Sequence, residues 1–266
     1  MSGLVKTSDR DGIVEIQMCR KPVNALNLEL LEDIHNAIDE NTGQGAKALM
    51  LSGMDDIFTA GLDVKTLLTL SRDEIDIFFK AFWGLMAKIS KSPIPFVAAM
   101  TGHSPAGGTV LSIFCDYRIA AKGDYKIGMN EVFVGLPVPM ILYKALSRLV
   151  GENKASTLTM TGSLISFQEA EQLGLLNEIV EKDQVVGRTF EWLSELVQLP
   201  PNAMNLTRLT AKSELNDWFD NELGQFTTSF ADGWFSDEVQ SRMKYIAENY
   251  LCVSYTHLTL PTICSV

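Results

Sequence analysis

Residues 102–106, Gly-His-Ser-Pro-Ala, have nearly the spacing of a serine nucleophile on a tight turn. In such a turn the residue after the serine donates its backbone N–H to the developing oxyanion. That residue here is Pro105, which has no N–H to donate. A serine nucleophile also needs a histidine as its base, and the one that follows Ser104 in the chain is His257, close to the end. These residues therefore argue against a serine hydrolase.

The same loop suggests a second chemistry, in which backbone groups act. Ala106-Gly107-Gly108 directly precedes an apolar helical run, and the N–H groups at a helix start attract negative charge. Residues 58–63, Phe-Thr-Ala-Gly-Leu-Asp, form another turn of small residues before a helical stretch. Two such turns could donate to one oxygen. The alternative is that the glycines only permit tight turns and close packing, and from these residues alone both interpretations stand.

One carboxylate lies within an apolar stretch. Glu131 follows Asn130, and Met129 and residues 132–134 around this pair are apolar. Burial among such residues raises the pKa of a carboxyl group toward neutrality, where it works well as a general base. The alternative is a solvated glutamate at the end of a strand, because glutamate is mostly exposed in proteins.

The surrounding pattern predicts the elements that would position these residues. Residues 13–18 alternate as a half-buried strand does, and 46–53 indicate a buried strand. Asn27 is a candidate helix cap, and Ser71 with Glu74, like Ser166 with Glu169, has the spacing of a capping box. The remaining predicted elements are strands at 94–100, 116–121 and 125–130, a short helix at 107–115, and mostly helix from about 183 to 250. Two strands followed by a helix recur, which indicates an α/β fold other than a plain doubly wound sheet.

Composition narrows the class of protein. The 266 residues are 46% hydrophobic and 21% charged, enough for a sizeable core. The net charge of −11 argues against nucleic acid as a partner, because sequence-independent binding needs a basic face. No apolar run approaches the roughly 20 residues that cross a bilayer, and the N-terminus lacks a signal or transit pattern. We expect a soluble intracellular protein with no membrane partner.

Cysteine spacing and the end of the chain add two further expectations. The four cysteines lack the spacing of metal ligands, so no metal site is expected. Residues 252–266 carry no charge and no helical period, and they resemble a translated sequencing adapter. We expect this segment to be a non-native tail, and Cys252, His257 and Cys264 are therefore given no functional role.

Five blocks together resemble the crotonase (enoyl-CoA hydratase/isomerase) superfamily. They are RKPVNALNLELLEDI (20–34), FTAGLD (58–63), SPAGGTVLSIFCDYRIA (104–120), IGMNEVFVGL (127–136) and SFQEAEQLGLLNEIV (166–180). The resemblance extends over residues 12 to 250. It implies a crotonase-like α/β fold, in which ββα turns repeat along a spiral within residues 1–190. It also implies a C-terminal helical region, residues 191–251, that packs a homotrimer.

The resemblance further implies the substrate and the residues that bind it. The substrate is an acyl-CoA thioester whose carbonyl oxygen lies between two backbone N–H groups, which by position are those of Leu62 and Gly107. The residues implied for substrate binding are Ala60, Gly61, Leu62, Asp63, Val64, Gly107 and Asn130. Coenzyme A is part of the substrate, so no separate cofactor is implied.

Carboxylates distinguish the reactions of this superfamily. Its hydratases use two glutamates to hold and activate water, and this chain has Val110 at the first position and Glu131 at the second. Moving a double bond needs one base, and SPAGG, CDYRI and IGMNE resemble the mitochondrial-type 3,2-trans-enoyl-CoA isomerases, in which the base maps to Glu131. The expected activity is isomerisation of 3-enoyl-CoA during unsaturated fatty acid beta-oxidation. The alternatives are a dienoyl-CoA isomerase, a hydratase, a thioester hydrolase and a non-catalytic acyl-CoA binder.

Overall fold

The computed structural model of the protein describes residues 3–249, which form two sheets surrounded by helices. The strands are β1 (Val5–Arg10), β2 (Ile13–Met18), β3 (Ala48–Ser52), β4 (Asp56–Ile57), β5 (Phe96–Met100), β6 (Gly102–Pro105), β7 (Tyr117–Ala121), β8 (Lys126–Gly128), β9 (Ile165–Ser166) and β10 (Glu178–Val180). The helices are α1 (Leu28–Gly43), α2 (Val64–Leu67), α3 (Arg72–Ser90), α4 (Gly107–Ile113), α5 (Met140–Val150), α6 (Glu152–Thr161), α7 (Phe167–Gln172), α8 (Val185–Leu196), α9 (Pro201–Thr210), α10 (Ser213–Asn221), α11 (Leu223–Trp234) and α12 (Asp237–Asn249). Short 3-10 helices cover Glu131–Val134 and Lys182–Gln184.

The chain passes repeatedly from one sheet to the other. The larger sheet has the order β1-β2-β3-β5-β7-β10, and the smaller has the order β4-β6-β8-β9. Strand β3 is followed by β4, β5 by β6 and β7 by β8, and each such pair leads into a helix or a 3-10 turn before the chain returns. This is the repeating ββα arrangement that the sequence predicts.

Strands β3 and β5 form the centre of the larger sheet, and every one of their residues is buried. They pair in parallel and are apolar except for Ser52, because strands covered on both faces have no solvent-facing positions. By contrast, β1 is polar and exposed along most of its length. It lies at the sheet edge, antiparallel to β2, and its lack of apolar alternation explains why no strand is predicted there.

The predicted helix caps are present. Asn27 accepts a hydrogen bond from the N–H of Leu30 at the start of α1. Ser71 and Glu74 form a reciprocal capping box at the start of α3, which satisfies two N–H groups that the helix itself leaves unpaired. Ser166 accepts from the N–H of Glu169 at the start of α7.

The C-terminal helices pack on the core of the same chain. The boundary predicted between residues 190 and 191 falls inside α8, so the helical region begins at Val185. Helices α10 and α11 pack against α3, and α12 packs against the Glu131–Val134 turn and α2. Asp116 forms buried ion pairs with Arg208 and Lys212, which join α9 and the start of α10 to the start of β7.

The region predicted to be a non-native tail lies outside the described residues. Among the helices of residues 3–249, none has both the length and the apolarity that a bilayer crossing needs.

Candidate active site

The first turn of the site, Phe58 to Leu62, leads from β4 into α2 and is held by the loop before α1. Asn24 Nδ2 donates to the carbonyl of Phe58 at 3.0 Å. Thr59 Oγ1 donates to the carbonyl of Asn24 at 2.6 Å and accepts from the N–H of Gly61 at 3.1 Å. Gly61 adopts a positive φ of 86°, a conformation that glycine adopts at little cost. The backbone path of this turn is therefore fixed by buried hydrogen bonds.

Backbone hydrogen bonds to Leu26 fix the direction in which the N–H group of Leu62 points. The N–H of Leu26 donates to the carbonyl of Gly61 at 2.8 Å, and the N–H of Asp63 donates to the carbonyl of Leu26 at 2.9 Å. Leu62 lies between Gly61 and Asp63, the two residues that bond to Leu26 in this parallel bridge. Its own N–H group therefore points away from Leu26. The N–H of Leu62 is consequently free to bind a ligand, and it has no hydrogen-bond acceptor within residues 3–249.

The second turn links β6 to α4 and holds Ala106 in an unusual conformation. Ala106 has a φ of 46° and a ψ of −115°, which is strained for a residue with a Cβ. Its N–H donates to the carbonyl of Gly128 at 2.8 Å. Thr109 Oγ1 accepts from the N–H of Gly128 at 2.8 Å and lies 2.7 Å from the carbonyl of Ser104. These bonds tie the start of α4 to the end of β8, immediately before Asn130.

The two turns are in direct contact. A Cβ placed on Gly61 would lie 3.2 Å from the backbone nitrogen of Gly107, and a Cβ placed on Gly107 would lie 3.2 Å from Gly61 Cα and 2.8 Å from Leu26 Cδ1. Gly107 is the first residue of α4, so its N–H has no intrahelical partner, and none is present elsewhere in the described chain. The free N–H groups of Leu62 and Gly107 thus belong to adjoining turns.

Glu131 begins the 3-10 turn that follows β8. Its Oε2 is buried and has no hydrogen-bond partner in the described structure. Burial raises the pKa of the Glu131 carboxyl from 4.5 to about 7, against a smaller lowering by a backbone hydrogen bond. The alternative of a solvated glutamate at a strand end is therefore wrong. Of the apolar neighbours predicted to shield it, Phe133 and Val134 line the same cavity and Met129 is buried, whereas Val132 is 38% exposed.

These groups line one cavity of about 170 Å³. Its polar end is formed by Ala60, Leu62, Ala106, Gly107, Asn130 and Glu131. Glu131 is the one ionisable side chain among the lining residues that the structure describes, and Val110 is a buried residue of the same lining. A carboxyl group with a pKa near 7, in the same cavity as unpaired N–H donors, can exchange a proton with a bound molecule that carries a carbonyl group.

The structure brings together most of the residues that the sequence singles out. Ala60, Leu62, Val64, Gly107, Asn130 and Glu131 all line the cavity. Gly61 lies behind Leu62 and packs on Ala106 and Gly107. Asp63 accepts hydrogen bonds from Arg20 Nη2 at 2.6 Å and from the N–H of Thr66 at 3.2 Å, so it caps α2 and positions the turn.

Ser104, the residue considered as a hydrolase nucleophile, does not take part in the site. It lies in β6 and is fully buried, and its Oγ has no partner among the described residues. The ring of the neighbouring His103 accepts a hydrogen bond at Nδ1 from the N–H of Lys126 at 3.2 Å. The structure therefore agrees with the argument against a serine hydrolase.

The apolar half of the cavity is missed by the sequence reasoning. It is formed by residues far apart in the chain: Phe79, Phe82 and Trp83 of α3, Phe230 of α11, and Met243 and Ile246 of α12. The aromatic run in 78–83 is the one local signal for it, and an aromatic run in a helix usually indicates core packing. The helices of the C-terminal region thus contribute to the lining of this site.

The fold and the paired turns define a family. The chain belongs to the enoyl-CoA hydratase/isomerase family, whose model matches residues 8–244. It is 29% identical over 208 residues to the human mitochondrial enoyl-CoA delta isomerase 1, covering 77% of this chain and 69% of that protein. It is 31% identical over 224 residues to a probable enoyl-CoA hydratase of Mycobacterium leprae, covering 84% of each.

A solved structure agrees with this assignment at the level of the fold. The human mitochondrial delta3-delta2-enoyl-CoA isomerase superposes with a TM-score of 0.88 at 24% identity, covering 92% of this chain and 97% of that one. The predicted crotonase-like α/β fold with C-terminal helices is confirmed.

Proposed function

We propose that this protein is an enoyl-CoA isomerase that converts cis- or trans-3-enoyl-CoA to 2-trans-enoyl-CoA in unsaturated fatty acid beta-oxidation. The observation that carries the proposal is that Glu131 is the one carboxyl group among the described lining residues of a cavity whose polar end also holds the free N–H groups of Leu62 and Gly107. Isomerisation needs one group that both takes and returns a proton. The human isomerase among the relatives supports this choice.

In the proposed reaction the thioester oxygen accepts hydrogen bonds from the N–H groups of Leu62 and Gly107. Glu131 as carboxylate removes a proton from C2, and the electron pair delocalises through the C3=C4 bond and the carbonyl as a dienolate. Glu131 then returns the proton to C4, which leaves the double bond between C2 and C3. Each N–H donor to such an oxyanion contributes about 2.7–4 kcal/mol of transition-state stabilisation. No cofactor or metal takes part in these steps.

The pKa of Glu131 suits this role. A group that must alternate between base and acid works best with a pKa near the working pH, and burial raises the pKa of Glu131 to about 7. The other described side chains that line the cavity are largely apolar, so few groups besides Glu131 could give the dienolate a proton.

A hydratase is the second candidate, since one relative carries that name. Hydration requires a group that orients the attacking water in addition to the proton donor for C2. Val110 occupies the position where the resemblance implies the first hydratase glutamate, and it is 1% exposed in the cavity wall. A valine side chain neither accepts nor donates a hydrogen bond, and isomerisation is therefore the better supported reaction.

The quaternary structure is part of the same proposal. Leu199 and Leu206, beside and within α9, are 51% and 70% exposed in the single chain, and such apolar residues would be covered in the homotrimer implied by the family resemblance. Light scattering on the purified protein tests this.

The direct test compares Glu131→Gln with the wild-type protein on cis-3-enoyl-CoA. Removing the base should reduce the isomerisation rate by about 10²–10⁴-fold. Glu32→Gln, on an exposed position of α1, serves as a control and should retain the wild-type rate. Full activity of Glu131→Gln would refute the assignment.

A further inference from the structure

The cavity is closed on its apolar side by aromatic rings of α3. Phe79, Phe82 and Trp83 line the cavity, and these three residues are 0%, 4% and 1% exposed. Phe230 of α11 and Met243 of α12 complete this side. An acyl tail whose carbonyl lies at the polar end would extend toward these rings, since the remaining lining is apolar as well.

The ring of Phe82 is held by two neighbouring aromatic rings of the same helix. It stacks on Phe78, one helical turn earlier, with centroids 6.2 Å apart and an interplanar angle of 17°. It meets Trp83 edge to face at 5.0 Å. Trp83 in turn contacts Phe226 at 5.0 Å and Phe230 at 5.3 Å. Interiors packed in this way have no free volume into which a ring could swing to admit a longer ligand.

Helix α3 itself is also fixed. Its capping box fixes its first turn, and α1, α10 and α11 all pack against it. Phe79 contacts Phe230 at 4.9 Å and Trp234 at 5.8 Å, so the interface between α3 and α11 continues the same aromatic cluster. The position of the cavity wall therefore depends on rings of α3 and α11 that support one another.

We propose that Phe82, supported by Phe78 and Trp83, forms the end wall of the acyl cavity and sets an upper limit on the length of the acyl tail. The limit applies to straight apolar tails, because the lining residues described on this side offer no charged group that could bind a polar end. This inference rests on the proposed acyl-CoA substrate. It adds a specificity-determining residue that lies outside the two turns and the Glu131 segment.

The chain offers a matched control for this position. Phe219 of α10 is 4% exposed, as Phe82 is, and its ring contacts Phe114 and Trp218, but it is not among the residues described as lining the cavity. Phe82→Leu should enlarge the cavity, Phe82→Trp should shorten it, and Phe219→Leu should remove an equally buried ring without moving the wall.

The experiment measures the binding of straight-chain saturated acyl-CoA thioesters to the full chain by calorimetry, with tails that lengthen two carbons at a time. For the wild-type protein, affinity should rise with length and then fall by about tenfold or more per methylene once the tail meets the wall. Phe82→Leu should move this break to longer tails and Phe82→Trp to shorter ones, while Phe219→Leu leaves it in place. If Phe82→Leu does not fold, Phe82→Trp decides.

An unchanged break in the folded Phe82 variants, an equal shift in Phe219→Leu, or no break at all would overturn the proposal. Parallel turnover measurements with 3-enoyl-CoA of each length separate the two hypotheses. A break in the affinity series without any turnover would support Phe82 as the end wall and refute the isomerase activity. Turnover that does not depend on the length of the acyl tail would refute the end wall alone.

Discussion

The turn that contains Gly61 packs directly against Gly107, so closely that a Cβ on Gly61 would lie 3.2 Å from the Gly107 nitrogen. This contact brings together two turns: the turn after β4, which carries the free N–H group of Leu62, and the turn after β6, which carries that of Gly107. Leu26 contributes to it twice, through the backbone bridge to Gly61 and Asp63 and through its side chain against Gly107. The position of the two proposed N–H donors thus depends mainly on the close approach of two backbone segments, and only a few side-chain groups take part.

Gly107→Ala should separate these turns. The added Cβ would lie 2.8 Å from Leu26 Cδ1, at the movable end of a side chain, and 3.2 Å from Gly61 Cα, a backbone atom that would have to shift by a few tenths of an ångström. Since a displacement of about 1 Å in a donor can cost roughly 100-fold in rate, this smaller shift should lower kcat/KM on 3-enoyl-CoA by roughly three- to tenfold. Gly187→Ala is the control, because nothing lies within 4 Å of a Cβ at that position in α8, and it should leave kcat/KM unchanged. Equal activity in both variants would argue against the paired donors.

The pH dependence of catalysis should report the ionisation of Glu131. The base must be deprotonated to remove the C2 proton, and burial raises its pKa to about 7. Activity should therefore rise with pH, and kcat/KM should reach a plateau above an apparent pKa near 7. A pH–rate profile between about pH 5 and 9 measures this directly. A profile that is flat across this range would mean that the ionisation of Glu131 does not limit the reaction.

The free energy of unfolding should change with pH in the opposite direction to the catalytic activity. The folded pKa of Glu131 lies above its ordinary value of 4.5, so between these values the folded chain holds a proton that the unfolded chain has released. The free energy of unfolding contributed by this group therefore falls as pH rises from 4.5 to about 7, by about 3 kcal/mol at most.

Glu131→Gln removes this dependence, because an amide does not titrate in the range. The difference in unfolding free energy between Glu131→Gln and wild type should shift in favour of the variant by up to about 3 kcal/mol between pH 5 and pH 8. Urea unfolding at both values tests it. A difference that stays constant with pH would show that the carboxyl is not buried as described.

Val110→Glu tests whether the absence of a carboxylate at position 110 is what disfavours hydration. Val110 lines the cavity with Glu131, so a carboxyl group there could orient water toward a bound 2-enoyl thioester. We expect measurable hydration of 2-trans-enoyl-CoA and a slower isomerisation, since a like charge nearby raises the pKa of Glu131 further. Val110→Gln controls for size and polarity, and hydration that is equal in both variants would show that the carboxylate is not responsible.

The parts of the site that the sequence predicts are those with local signals. The glycines at 61 and 107, the Asn130-Glu131 pair and the caps at Asn27 and Ser71 follow from residue types at short spacing. In the structure Gly107, Asn130 and Glu131 line the cavity, Gly61 packs against Gly107 outside the lining, and both caps are formed. The family resemblance then identifies the ββα order of the core.

The parts that escape prediction depend on long-range packing or lack a local pattern. Phe82 and Phe230 line one cavity although almost 150 residues separate them, and neither segment has a composition that differs from ordinary core. Strand β1 is polar and exposed and is formed by its ladder with β2. The positive φ of Ala106 has no sequence signal, because alanine rarely adopts that conformation.

The most direct test of the central claim measures two activities of the same wild-type preparation. The protein is incubated with cis-3-enoyl-CoA while the formation of 2-trans-enoyl-CoA is followed, and in parallel with 2-trans-enoyl-CoA while hydration is followed. One carboxyl group beside two N–H donors predicts isomerisation with little or no hydration. Hydration at a comparable rate would contradict the account, because it would require a second water-activating group that the described cavity does not contain.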